Sequence, residues 1–244
     1  MNVPSPPETP SLFEAMHTAR AMRRLKPDPV PDALLTRVLD AAIRAPSGGN
    51  AQTWSFLVVR DPTLRAELGR LYRKGSDIAA ASYAARGKPA HLTQAQFDAM
   101  MRSGMHLWNH MGDAPVLLLP CLQPPAMPPF DALPPDMQAL YAEEVEYMRR
   151  IRGASIYPAV QNIILACRGL GLGTVITTNH LRCEAEVKTL LGIPDAVDTY
   201  ALMPIGWPIG TFGPVNRRPL AEVAFADRWA TPWTDDPDAT RRVS

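Results

Sequence analysis

Residues 44–60 read Arg44-Ala45-Pro46-Ser47-Gly48-Gly49-Asn50-Ala51-Gln52-Thr53-Trp54-Ser55-Phe56-Leu57-Val58-Val59-Arg60. Two kinds of backbone meet there. From Pro46 to Gln52 a proline, two adjacent glycines and an asparagine favour turns and positive φ, so this part is a loop. From Trp54 to Val59 the run is rich in aromatic and β-branched residues, and Asp61-Pro62 closes it, which reads as a strand. A polar glycine loop that feeds a buried strand is a common ligand site. Its glycines let a bulky ligand approach the backbone, and Ser47, Asn50 and Gln52 supply donors and acceptors. The same residues equally suit a plain helix-to-strand connection, because turn chemistry of this kind is ordinary.

Working outward, the preceding stretch carries Leu34, Leu35, Val38, Leu39, Ala42 and Ile43 at helical spacing, with Pro31 and Asp32 at its start. This predicts a helix that delivers the chain into the loop. Before it, Ser11 and Glu14 form a capping-box pattern for a first helix ending near Arg20. The basic cluster Arg20, Arg23, Arg24, Lys26 suits either a solvated helix end or a phosphate site, for which the planar arginine fork is apt. After the strand, Pro62 to Arg73 reads as helix. Lys74 to Gly112 is also mostly helical, with a break at Gly87-Lys88-Pro89.

Ala114-Pro115-Val116 to Leu122 is an apolar run, the pattern of a central strand. Residues 123–135 are proline-dominated and predict an extended excursion. Asp136 to Arg152 reads as an amphipathic helix with a Glu146–Arg150 pair. Ser155 to Arg168 shows the cleanest stripe, through Ile156, Val160, Ile163, Ile164 and Cys167, and ends at Gly169. The spacing Gly169-x-Gly171-x-Gly173 follows a helix and so is not a dinucleotide fingerprint. A short strand over Thr174–Thr178, a helix over His180–Leu191, a strand over Tyr200–Ile205 and an edge strand over Leu220–Phe225 complete the pattern. Few strands among many helices give an α+β class.

Composition excludes several functions. The 244 residues carry a formal net charge of +1, so no charge excess points to nucleic acid or a membrane surface. Proline, at 26 residues, is about twice as frequent as usual, which implies short loops between helices. Residues 1–10 lack a basic region and an apolar core, so no signal peptide is expected, and no apolar run approaches a membrane span. The odd cysteine count, Cys121, Cys167 and Cys183 without a C-x-x-C pair, argues against a disulfide framework and suits a reducing cytoplasm. His106 and His110 stand one helical turn apart but lack a carboxylate at ligand spacing, so no metal site is expected.

Four segments in order resemble the nitroreductase family of FMN-dependent flavoreductases: Arg20 to Pro31; Pro-Ser-Gly-Gly-Asn-x-Gln-x-Trp at 46–54; Pro158 to Asn162 with Gly169 to Thr174; and Gly206-x-Pro208 with Arg217-Arg218-Pro219-Leu220 and Asp227-Arg228-Trp229. The resemblance implies a central mixed or antiparallel sheet wrapped by helices, in an intertwined homodimer with one FMN at each subunit interface. Composition predicts a mobile segment 1–10 and a tail from 231; the resemblance implies one domain over 11–230 with a lid insertion at 120–152. It places Arg20, Ala21, Arg23, Arg217 and Arg218 at the FMN phosphate and flanking contacts. Pro46, Ser47, Gly48, Asn50 and Gln52 fall at the ribityl chain and ring edges, and the backbone of Thr177 and Thr178 near flavin N5. Tyr141, Tyr147, Met148 and His106 become substrate-facing candidates. The family often has Arg-Arg-Ser-x-Arg where this chain has Ala19-Arg20-Ala21-Met22-Arg23, and a basic residue where it has Asn216.

The activity implied is ping-pong hydride transfer from NADH or NADPH, through flavin N5, to a nitroaromatic, quinone or similar small acceptor. A flavin-binding sensor or store without turnover, or a specialised reaction such as reductive dehalogenation, are the alternatives.

Overall fold

The computed structural model describes residues 9–124 and 128–233. The greater part of the expected N-terminal segment and C-terminal tail, and the middle of the proline excursion, lie outside these residues. The chain divides after Gly213 into two units.

In the first unit, α1 (Leu12–Thr18) is capped by the Ser11 side chain, which accepts from the Glu14 amide at 3.2 Å. α2 (Asp32–Ala42) follows, then the glycine loop and β1 (Trp54–Val59). A long helical hairpin comes next: α3 (Pro62–Arg86), capped by Asp61, and α4 (Gln94–His110), which starts with a complete Thr93–Gln96 capping box. β2 (Val116–Leu122) leads to α5 (Pro135–Ile151) and α6 (Tyr157–Gly169). β3 (Gly173–Thr174), a 3-10 turn at Asn179–Cys183, α7 (Glu184–Leu191), β4 (Asp198–Thr199) and β5 (Met203–Gly206) complete the unit.

The sheet is antiparallel, in the order β1-β2-β5-β3, with β4 on β2. Every residue of β2 is buried, which is why its sequence is apolar without alternation. Its two faces feed different cores. Val116 and Leu118 pack with α2 and α6, beside Val38, Ala42, Val160 and Ile163. Leu117, Leu119 and Cys121 pack with α3, α4 and α7, beside Leu68, Leu71, Leu107 and Val187. The sheet is thus a middle layer between two sets of helices.

Some expectations are corrected. The expected helices over 62–73 and from Lys74 are one continuous helix that runs through Gly75 to Arg86 and ends at Gly87 (φ 70), at the break expected there. The expected strand over Thr174–Thr178 is a two-residue strand and an isolated Thr177–Leu202 bridge. α6 runs through Gly169; the positive φ that follows it is at Gly171 (75°). Arg149, not Arg150, pairs with Glu146, at 2.7 Å. The second unit, from Pro214, has a 3-10 turn at Leu220–Glu222 where an edge strand was expected, with a Phe225–Pro232 bridge. Val223 and Leu220 there are exposed, so the apolar run had suggested a strand without a sheet to join.

All three cysteines are free and buried. Burial pushes the Cys167 thiol up to about 12 and the Cys121 thiol to about 11. His180 is fully buried, and neither ring nitrogen has a hydrogen-bond partner among the described residues. Burial lowers its pKa to about 4, opposed by Glu184, so the ring is neutral at pH 7. Since the folded pKa lies below the ordinary value of about 6.5, the unfolded chain takes up the proton first on acidification. The stability tied to a neutral His180 is complete above pH 6.5 and drains away as pH falls towards 4. We expect the wild-type Tm to fall across that window, and a His180→Leu variant to lose much of the slope; equal slopes in thermal melts would contradict this.

Candidate functional site

The glycine loop is held in an unusual backbone. Gly49, Asn50 and Gln52 all have positive φ, at 57°, 53° and 50°. For asparagine this is tolerated; for glutamine it is strained, and strain of this kind gathers at ligand sites. Two contacts fix the shape. The Gln52 amide donates to Ser47 Oγ at 3.1 Å, and the Gly48 amide donates to Ser155 Oγ at 3.0 Å. Asn162 Nδ2 donates to the Ala41 carbonyl at 3.0 Å, fixing α6 to the end of α2 just before the loop. Ser155 was invisible in sequence because its partner lies 107 residues away.

A cavity of about 280 Å³ opens beside this loop, lined by Gly48, Ala51, Thr53, Leu122, Met148, Arg152 and Ser155 among others. Arg152 is paired with Asp198 at 3.1 Å. Pro46 and Asn50 are exposed on the loop's outer side.

A second cavity, of about 210 Å³, lies at the opposite edge of the sheet. The segment at 20–26 runs along that edge: the Met22 amide donates to the Thr174 carbonyl at 3.0 Å and the Lys26 amide to the Trp207 carbonyl at 2.8 Å. Gly173 allows this approach, since a Cβ there would stand 2.9 Å from Met22 Cβ. Arg23 is thereby turned into the cavity with Tyr72 and Tyr83 of α3, Met100, Met101, Gly104, Leu107 and Trp108 of α4, and Val175 to Asn179. Arg20 and Ala21 are exposed and do not line it.

The electrostatics of this cavity are one-sided. Among the described residues no carboxylate pairs with Arg23; its partner is Ser103 Oγ, at 3.4 Å. Burial lowers the Arg23 pKa, and the nearby Tyr72 and Tyr83 oppose this. A half-buried guanidinium without a counter-ion is a donor set waiting for an anion or a polar ring edge. Burial raises the Tyr72 pKa, so its hydroxyl remains protonated at neutral pH.

The structure therefore gathers Arg23, Thr177 and Thr178 around one cavity, and Gly48 and Met148 around another. Three strand steps separate β1 from β3, roughly 14 Å at the usual spacing. Tyr147 lies in a groove on α5 with Glu143 and Arg150, and Tyr141 packs edge-on against Phe130. His106 stacks on His110 with ring centroids 4.4 Å apart; burial, Arg24 and His110 lower its pKa. Among the described residues no three His, Cys, Asp or Glu side chains converge to hold a metal ion. Arg217 and Arg218 belong to the second unit and are exposed; Arg217 Nη1 donates to the Asn216 carbonyl at 2.7 Å. The residues covering the Arg23 cavity come from the α3–α4 hairpin, and the helical break at Gly87-Lys88-Pro89 was the available sign of such an excursion.

The profile described as Nitroreductase family matches residues 17–207, spanning both cavities. The chain belongs to the nitroreductase family. An NADH dehydrogenase from Thermus thermophilus is 30% identical to this family member over 208 residues, 84% of this chain and 91% of that protein. Iodotyrosine deiodinase 1 from Rattus norvegicus is 26% identical over 197 residues, and the chain spans 62% of that protein's length. A solved structure of an iodotyrosine deiodinase bound to FMN and 3-iodo-L-tyrosine superposes with a TM-score of 0.62 at 22% identity, over 89% of this chain and 99% of that one. This nitroreductase fold agrees with the antiparallel, helix-wrapped sheet. No helix among the described residues is long and apolar enough to cross a membrane.

Proposed function

We propose that the protein is an FMN-dependent NAD(P)H oxidoreductase that works as a homodimer, passing electrons to a small nitroaromatic, quinone or related acceptor. The observation that carries this reading is the half-buried Arg23, without a carboxylate partner among the described residues, in a cavity shared with Thr177 and Thr178. Family membership, the relative named NADH dehydrogenase and the relative bound to FMN support it. The residues fit the cofactor: cationic and amide donors on one side, aromatic and methionine side chains on the other, and a glycine loop open to close approach.

FMN, when bound, supplies the hydride-carrying chemistry. The chain's part is to hold and orient it. Arg23 would meet the ring edge or phosphate with a charge-assisted hydrogen bond, and Arg20 would supply further positive charge for the phosphate dianion. Thr177 and Thr178 offer backbone N–H groups that orient the ring without adding a titrating group. Met100, Met101 and Trp108 exclude water from one side of the cavity.

A second copy accounts for the separation of the two cavities. In a two-fold dimer the Gly48 loop of one protomer would complete the Arg23 cavity of its partner. Exposed apolar side chains are consistent with an extensive interface: Leu12 and Phe13 on α1, and Met137, Leu140, Val145 and Ile151 on α5, a helix without a buried residue.

The test is the purified protein. We expect a yellow, FMN-binding chain at about twice 26.8 kDa that oxidises NADH or NADPH when given nitrofurazone or menadione. A yellow protein that oxidises neither nicotinamide would make it a flavin-binding module instead. A chain that rejects FMN would overturn the reading.

A further inference from the structure

Arg168 stands in the last turn of α6, between two of the segments that carry the family resemblance and in neither of them. Its side chain is only 14% exposed, and it meets three parts of the chain at once. Nε donates to Thr18 Oγ1 at 2.8 Å, and Nη2 pairs with Glu14 at 3.3 Å. The guanidinium also lies over the face of the Phe212 ring, 4.5 Å from its centre. Thr18 Oγ1 gives its own proton to the Glu14 carbonyl at 2.6 Å, which leaves its lone pairs to receive Arg168. A planar fork that bonds at its edge and stacks on its face is what arginine offers and lysine does not.

The two ends of this clamp flank Arg20. Thr18 is the last residue of α1, two positions before Arg20. Phe212 precedes Gly213, where an added Cβ would stand 4.0 Å from Arg20 Nη1. The loop before Phe212 follows the rest of the basic segment: the Ile209 amide donates to the Arg24 carbonyl at 3.0 Å, and a Cβ at Gly210 would meet Met22 Cε at 3.8 Å. Arg23 has fixings of its own, the Met22 and Lys26 amide bonds to Thr174 and Trp207 on either side of it. Arg20 follows directly on α1 and is exposed, so its place is set by the chain around it.

We infer that Arg168 is a positioning residue for the FMN phosphate: it ties the end of α1 to the Phe212 loop and so aims Arg20. This rests on the FMN reading above, in which Arg20 supplies charge to the phosphate. Arg168 acts through Arg20 and is not itself a phosphate ligand, because its own charge is already paired with Glu14.

The test separates aiming from general support. FMN and riboflavin, which is FMN without its phosphate, are titrated by fluorescence quenching at low salt against wild type, Arg168→Leu, Arg20→Gln and the double variant. We expect Arg168→Leu to bind FMN about two- to fivefold more weakly, as an exposed ion pair allows, and riboflavin as wild type does. In the Arg20→Gln background the same change should cost nothing further, since the two residues act on one contact. Should Arg168→Leu not fold, Thr18→Val removes the anchor at α1 and carries the same expectation. Unchanged FMN affinity would overturn the proposal. Equal losses for FMN and riboflavin would overturn it too, by making Arg168 a support for the whole site, and so would a full further loss in the Arg20→Gln background. A wild-type chain that binds neither flavin overturns the underlying cofactor reading, and this proposal with it.

Discussion

An Arg23→Gln variant is expected to bind FMN about ten- to a hundredfold more weakly than wild type, measured by flavin fluorescence quenching. The reasoning starts from solvation. A guanidinium is expensive to take out of water, and among the described residues Arg23 has accepted that cost with only the Ser103 hydroxyl, 3.4 Å away, as a partner. A hydrogen bond to a charged group is worth about 1.5–3 kcal/mol, which is the stated range in affinity. Glutamine keeps a donor and most of the length but loses the charge. Because burying the charge is unfavourable in the ligand-free chain, the same variant should melt at or slightly above the wild-type temperature without FMN. Arg20→Gln, at an exposed position, should weaken binding by much less and more so at low salt. Wild-type affinity in Arg23→Gln would remove the cavity from consideration as the cofactor site.

A Gly75→Ala variant is expected to lose roughly 5–10 °C in Tm and to bind FMN less well. Gly75 lies in α3 against the 3-10 turn at Asn179–Cys183, and an added Cβ would stand 2.1 Å from the Asn179 carbonyl oxygen. The obstacle is backbone, so neither side can yield by turning a side chain. Overpacking of this kind costs about 1–3 kcal/mol or somewhat more, and a domain of this size loses about 2–4 °C per kcal/mol. The displaced turn begins at Thr178 and Asn179, which line the Arg23 cavity, so stability and affinity fall together. For melting, Gly104→Ala is the control: its nearest neighbour is the Trp108 side chain of the same helix, at 3.9 Å, and alanine is the better helix former. A Gly75→Ala chain with unchanged melting would show that the turn can move freely.

The elements legible in sequence were those whose pattern is local. β1, β2, α2 and α6 each carry their own signature: aromatic and β-branched runs, an unbroken apolar run, or a stripe at helical spacing. The glycine loop was legible because positive φ demands particular residues, although Gln52 at φ 50 was not foreseeable. What could not be read is set by distance along the chain. Ser155 matters because it meets Gly48, 107 residues away in sequence. The division of Arg23 and Gly48 between two cavities follows from strand order, which pairs β2 with β5 across some eighty residues of sequence. Leu220 to Phe225 misled because an apolar run predicts a strand only where a neighbouring strand exists to receive it.

The buried thiols bear on the proposed reduction of quinones. Quinones arylate cysteine through the thiolate, and a sulfhydryl with a pKa of about 11 or 12 is ionised in fewer than about one molecule in a thousand at neutral pH. Cys121, Cys167 and Cys183 are all shielded from solvent as well. Turnover on such compounds, as proposed, would therefore meet no exposed cysteine on the catalyst.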